Sequence, residues 1–97
     1  FLPWSWDQFS EHYGMTWFAV HGATKAAGPE TWRAWRREPW VTYAGERFLH
    51  HPPLFVHQFP QAWLDWRGHA DEVSGVNFFA QACAATRAQK RFCKDLA

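Results

Sequence analysis

Residues 52–68 read PPLFVHQFPQAWLDWRG, an apolar run with a proline near its middle. That proline limits the fold more than any other residue. Pro60 has no backbone N–H and its ring collides with the carbonyl four residues back, so a helix through this run bends or divides there. Pro53 suits the opening of the segment, and Gly68 closes it with Arg67 well placed against the helix dipole. The predicted break lies between Val56 and Gln61, and it turns His57 toward a polar cavity. Four aromatic rings, a histidine, two glutamines and an Asp-Trp-Arg triplet share the run. A packed core helix has no use for that polar content, whereas a sugar-binding surface has.

The remaining chain reads as helices around this segment. Ser5 and Gln8 have capping-box spacing. Phe9, Tyr13, Trp17 and Val20 then repeat at four and three residues, one apolar helical face. Gly14 weakens that helix by about 1 kcal/mol against alanine, which suggests a neighbour that needs the space. Gly22 is its expected stop. Pro29 opens a short helix that ends before Pro39. Asn77 caps a last helix rich in strong helix formers. On it Phe78, Phe79, Ala82, Cys83, Thr86 and Phe92 are expected inward, and Arg87, Lys90, Arg91 and Lys94 outward. Trp40–Tyr43 has strand propensity but no visible partner, so 39–52 reads as an irregular loop. The expectation is one all-α domain over 1–97, with helices near 5–21, 29–37, 53–67 and 77–95.

Composition narrows the function classes. At 47% hydrophobic and 20% charged, the chain is globular. A net charge of +1 is too balanced for a nucleic-acid partner or a polybasic membrane anchor. No apolar run reaches the ~18 residues of a membrane span. Eight Trp, nine Phe and two Tyr exceed what a small interior hides, so some rings should meet solvent. Cys83 and Cys93 lie about 15 Å apart along one helix, beyond the ~7 Å reach of a disulfide. The six histidines lack helical i,i+4 pairing and no CxxC accompanies them, so neither a metal nor a cofactor is expected. Glu11 stands apart among the carboxylates. Either it sits near apolar rings, where desolvation favours the acid form a general acid needs, or it is a solvated residue of the polar face. Asp65 reads as structural, able to pair with Arg67.

PPLFVHQFPQAWLDWRG resembles the segment GPLFxHQYSHxWxDxRG of the bacterial glucoamylase-like family. WDQFSEHYGMTWFAVHGATKAAGPETW and NFFAQACAATRAQKRFCKDLA extend the likeness over nearly the whole chain. The family includes endo-acting β-1,2-glucanases, so the resemblance implies a glycan partner, acid/base hydrolysis, a periplasmic or secreted location, and part of an (α/α)6 toroid. It places Glu11 at the family's glutamate, as the catalytic candidate. It also makes His57, Gln58, Trp63 and Trp66 the substrate-binding candidates of a cleft. Three departures stand out: Phe59-Pro60-Gln61 for Tyr-Ser-His, Asn77-Phe78-Phe79-Ala80-Gln81 for Asp-Tyr-Phe-Glu-Asn, and Ala23-Thr24-Lys25-Ala26 for Pro-Thr-His-Pro. Either the substrate differs or catalysis has been lost.

Two further readings follow from those lost acids. One is a non-catalytic helical scaffold whose apolar faces are covered by other protein chains. The other is a carbohydrate-binding remnant that holds sugar through His57, Trp63 and Trp66 without cleaving it.

Overall fold

The computed structural model describes residues 6–97. Ser5, half of the expected capping box, lies outside them. The elements run α1 (His12–His21), α2 (Pro29–Ala34), β1 (Trp40–Tyr43), β2 (Glu46–Leu49), α3 (Phe55–Gln58), a 3₁₀ turn (Phe59–Ala62) and α4 (Phe78–Leu96).

The all-α expectation is overturned by a β-hairpin within 39–52. β1 and β2 pair antiparallel, with Trp40 opposite Leu49 and Tyr43 opposite Glu46. The partner strand that seemed missing begins three residues after Tyr43. The two residues between take positive φ, 51° at Ala44 and 79° at Gly45, and such a turn matches the twist of the strands it joins. The fold is therefore mixed, and the toroid reading falls with the all-α one. The hairpin rests on α4, where β2 makes its main packing. Small side chains allow that close approach: Ala82, Ala85 and Ala88 form the buried stripe, with Phe78 and Gln81. Phe79, Thr86 and Phe92 are exposed rather than buried, a second correction, although Phe92 still meets Tyr43 of the hairpin edge-on. The basic residues expected outward are exposed, and Arg87 reaches back to Glu46 on β2 at 2.7 and 3.0 Å.

Pro60 divides its segment. α3 ends at Gln58 and the chain tightens into a 3₁₀ turn with Pro60 in its first two positions, so the single helix expected over 53–67 does not form. The Pro60 carbonyl accepts from Trp63 N, Leu64 N and Trp66 Nε1. Gly14 packs against this turn: a Cβ there would meet Pro60 Cβ at 3.4 Å. α1 begins at His12 rather than near residue 5. Ahead of it the backbone bridges to the chain after α2, with Arg36 N donating to Asp7 O at 2.7 Å. Gly22 ends α1 and Pro29 opens α2 as the sequence indicates.

Part of the aromatic surplus is core, and part of it meets solvent as the composition implies. Phe9, Tyr13, Trp32, Trp35, Trp66 and Phe78 are buried together, joined by Leu49 and Val56. Tyr13 stacks on Phe78 at 4.7 Å and meets Trp66 edge-on at 5.1 Å. One buried ion pair closes this core. Arg37 holds Asp71 through Nε at 2.7 Å and Nη2 at 3.1 Å, and its guanidinium lies 3.7 Å from the centre of the Trp35 ring. Trp32 Nε1 and Ser74 Oγ also donate to Asp71, so the 69–76 loop is pinned to the end of α2. Among the described residues, no helix is long and apolar enough to cross a membrane.

Candidate functional site

The structure does not gather the five sequence-derived candidates into one cleft. Glu11, His57, Trp66, Trp63 and Gln58 line five separate cavities. These fall into two groups by their shared walls. His51 lines both the Glu11 cavity and the His57 cavity. Leu64 and Asp65 join the Trp66 and Trp63 cavities, and Gln61 and Phe79 join the Trp63 and Gln58 cavities.

The first group holds Glu11 and His57. A cavity of about 270 Å³ is lined by Trp6, Asp7, Gln8, Phe9, Ser10, Glu11 and His51. Glu11 occupies the N-cap position of α1, and its side chain makes no capping hydrogen bond there. Trp6 is 63% exposed, a ring face open to solvent at the cavity's edge. Ser10 Oγ contacts His12 Nδ1, and burial pushes the His12 pKa down against the opposing charge of Glu11. The sequence stretch WDQFSEHY held these residues, but its assignment to a helix from residue 5 scattered them around a helical surface. In the irregular chain that actually precedes α1, Trp6, Asp7 and Glu11 come to one cavity.

His57 borders the neighbouring space, about 330 Å³ between the hairpin, the 50–54 turn and α4. Its side chain is only 2% exposed and lies against Phe9 and Phe48. Nδ1 accepts from Gln81 Nε2 at 2.8 Å, because Gln81 Oε1 is already engaged by Leu49 N at 3.0 Å. That chain fixes the neutral ring with its proton on Nε2. Burial, reinforced by His51 and His50, lowers its pKa to about 4. The predicted break after Val56 is present, while the cavity beside His57 is walled mainly by apolar groups such as Val41, Phe48, Leu54 and Phe92.

The second group is different in kind. Trp66 is buried among Trp17, Trp32, Tyr13 and Phe78, with its N–H committed to Pro60 O. Trp63 is exposed beside Phe59, and Gln58 is exposed on α3. Asp65 pairs with Arg67 at 2.8 Å as the sequence suggests, and the hydrogen bonds from Arg67 hold its pKa down to about 2. No group of three or more His, Cys, Asp or Glu among the described residues is placed to hold a metal ion.

No curated protein and no solved structure matches the chain. A family model does, over residues 3–97: that of Glycoamylase, described as "Putative glucoamylase". With nearly its full length matched, this chain is a member of the Glycoamylase (glucoamylase-like) family.

Proposed function

We propose that this chain takes part in the hydrolysis of a β-glucan, with Glu11 as the proton donor. The observation that carries the reading is that His51 lines both the carboxylate cavity of Glu11 and the neighbouring His57 cavity, which places the two side by side. Trp6 offers an open face for stacking on a sugar, and Gln8, Ser10 and His51 offer hydrogen-bonding groups. The family match over residues 3–97, to a model described as a putative glucoamylase, supports the coarser reading of a glycan-hydrolase domain. A periplasmic or secreted location goes with this reading. Reducing-sugar release from linear β-1,2-glucan tests it in the native protein: activity is expected, and Glu11→Gln should abolish it. Unchanged activity in that variant would remove Glu11 from the mechanism.

A second reading is favoured by a different observation. Phe55, Phe59, Trp63 and Phe79 present exposed apolar surface along α3, the turn after it and the start of α4. Here the chain acts as a scaffold, with another protein chain covering that face. A monodisperse monomer with full glycan hydrolysis would argue against it.

A further inference from the structure

We infer that the cavity between the hairpin and α4 binds a small uncharged molecule, an apolar body ending in a carbonyl, with His57 Nε2–H as its hydrogen-bond donor. The inference does not rest on the hydrolytic reading, and it concerns a different cavity from that of Glu11.

The walls come from several elements. Val41 and Phe48 belong to the two strands, Leu54 to the turn before α3, and Ala85, Ala88 and Phe92 to α4. The alanine stripe that lets β2 approach α4 also leaves the room, because Ala85 and Ala88 put only methyl groups into it. At about 330 Å³ the space is within the range of small-molecule sites. An apolar body that covers these walls removes apolar surface from water. Among the described residues, no Asp or Glu lines the cavity.

His57 supplies the polar contact. It is 2% exposed, and of the residues lining this cavity it is the one buried polar side chain. Gln81 Nε2 occupies its Nδ1 at 2.8 Å, which puts the ring proton on Nε2. No acceptor among the described residues takes that proton. Nor is Nε2 among the unpartnered atoms shut off from open space, which are His12 Nε2, Trp35 Nε1 and His51 Nδ1. It therefore reaches open space, and the space that the ring lines is this cavity. A buried donor without an acceptor is costly, so a ligand oxygen placed there is favoured. The acceptor should be neutral: burial keeps the ring uncharged, and a carboxylate would lose its hydration without gaining a counter-charge from His57. Sugar hydroxyls would need several such partners, and this wall buries one.

The test titrates acetophenone, ethylbenzene, benzoate and the β-1,2-linked disaccharide of glucose into the isotopically labelled full chain at pH 7. NMR follows the ring signals of His57 and the methyl signals of Ala85 and Ala88. Acetophenone should move all of them and bind about two- to tenfold more tightly than ethylbenzene, the fold-change of one hydrogen bond. Benzoate should bind more weakly than acetophenone. His57→Asn keeps an oxygen for the Gln81 amide but loses the donor, so acetophenone should fall to the level of ethylbenzene. Ala88→Leu fills the cavity and should abolish both. Equal affinities for acetophenone and ethylbenzene in the unaltered protein would overturn the role of His57, whether or not either variant folds. Benzoate binding as tightly as acetophenone would overturn the uncharged class. The absence of any saturable shift would overturn the site itself. If the disaccharide moves the same signals at lower concentration than acetophenone, the cavity belongs to a glycan cleft and the inference falls.

Discussion

Arg36 and Arg37 are neighbours in sequence, each paired with an aspartate distant in the chain, yet they belong to two different regions. Arg37 and Asp71 have side chains 4% and 0% exposed, and every polar edge of the pair meets a partner. Arg36 and Asp7 are 50% and 59% exposed, and Arg36 also leans toward Glu38 at 3.4 Å. The chain leaves α2 in extended form at Trp35, so adjacent side chains alternate between interior and rim. The same ionic chemistry is therefore used twice, once to lock the fold and once to set a carboxylate at an open cavity. Burial decides which role each pair has.

The largest expected effect comes from the interior pair. Arg37→Ala leaves the Asp71 carboxylate buried without its counter-charge and strips hydrogen bonds from the Trp32 and Trp35 carbonyls. Removing one partner of a buried pair costs about 3–5 kcal/mol. Urea denaturation should show that loss as a lowered midpoint. A midpoint close to that of the unaltered protein would mean that Asp71 is solvated, and the contrast between the two arginines would collapse. Asp71 makes the point in another way: burial alone would raise its pKa, but the hydrogen bonds from Arg37, Ser74 and Trp32 outweigh burial and lower it.

His57 extends the comparison to pH. Its folded pKa of about 4 lies below the unfolded value near 6.5, so the unfolded chain binds the extra proton first. The stability that goes with the neutral ring is complete above pH 6.5 and is lost as pH falls toward 4. A full shift of that size corresponds to about 3 kcal/mol at most. Protonated Nδ1 would face the Gln81 amide hydrogens, donor against donor. Midpoints measured from pH 7 to pH 4 should fall steeply in the unaltered protein and less so in His57→Gln, with His12, lowered in the same direction, leaving a residual slope. Equal slopes would place the titrating group elsewhere.

Legibility in the sequence followed the range of the interactions. α4 was readable because its signals are local: Asn77 accepts from Ala80 N at 3.0 Å, and good helix formers follow. Gly22, Pro29 and Pro60 also acted locally, each where its backbone chemistry required. The hairpin was hidden because Ala44-Gly45 is a weak turn signal and Glu46-Arg47 breaks the apolar alternation. Trp63 to Gly68 continued the apolar period of a helix, yet the chain leaves helical form there to seat Trp66 in the core. Glu11 was visible in the sequence because the carboxylate itself was the signal. Asp7 and His51 were not, since a bridge to Arg36 and a wall shared by two cavities exist only after folding.

The smallest expected effect on stability belongs to the rim, and it sharpens the contrast most. Arg36→Ala removes an ion pair that water already surrounds, a loss of about 0–1 kcal/mol that moderate salt should erase. The backbone bond from Arg36 N to Asp7 O survives the substitution, so the chain ahead of α1 keeps its course. What changes is the aim of the Asp7 carboxylate, which turns freely once its guanidinium is gone. The denaturation midpoint should therefore hardly move, at low salt or high. Arg36→Lys should leave it equally unmoved, because an ammonium group restores the charge but not the fixed fork of the guanidinium. A large drop in midpoint would make Arg36 a second structural clamp and erase its contrast with Arg37.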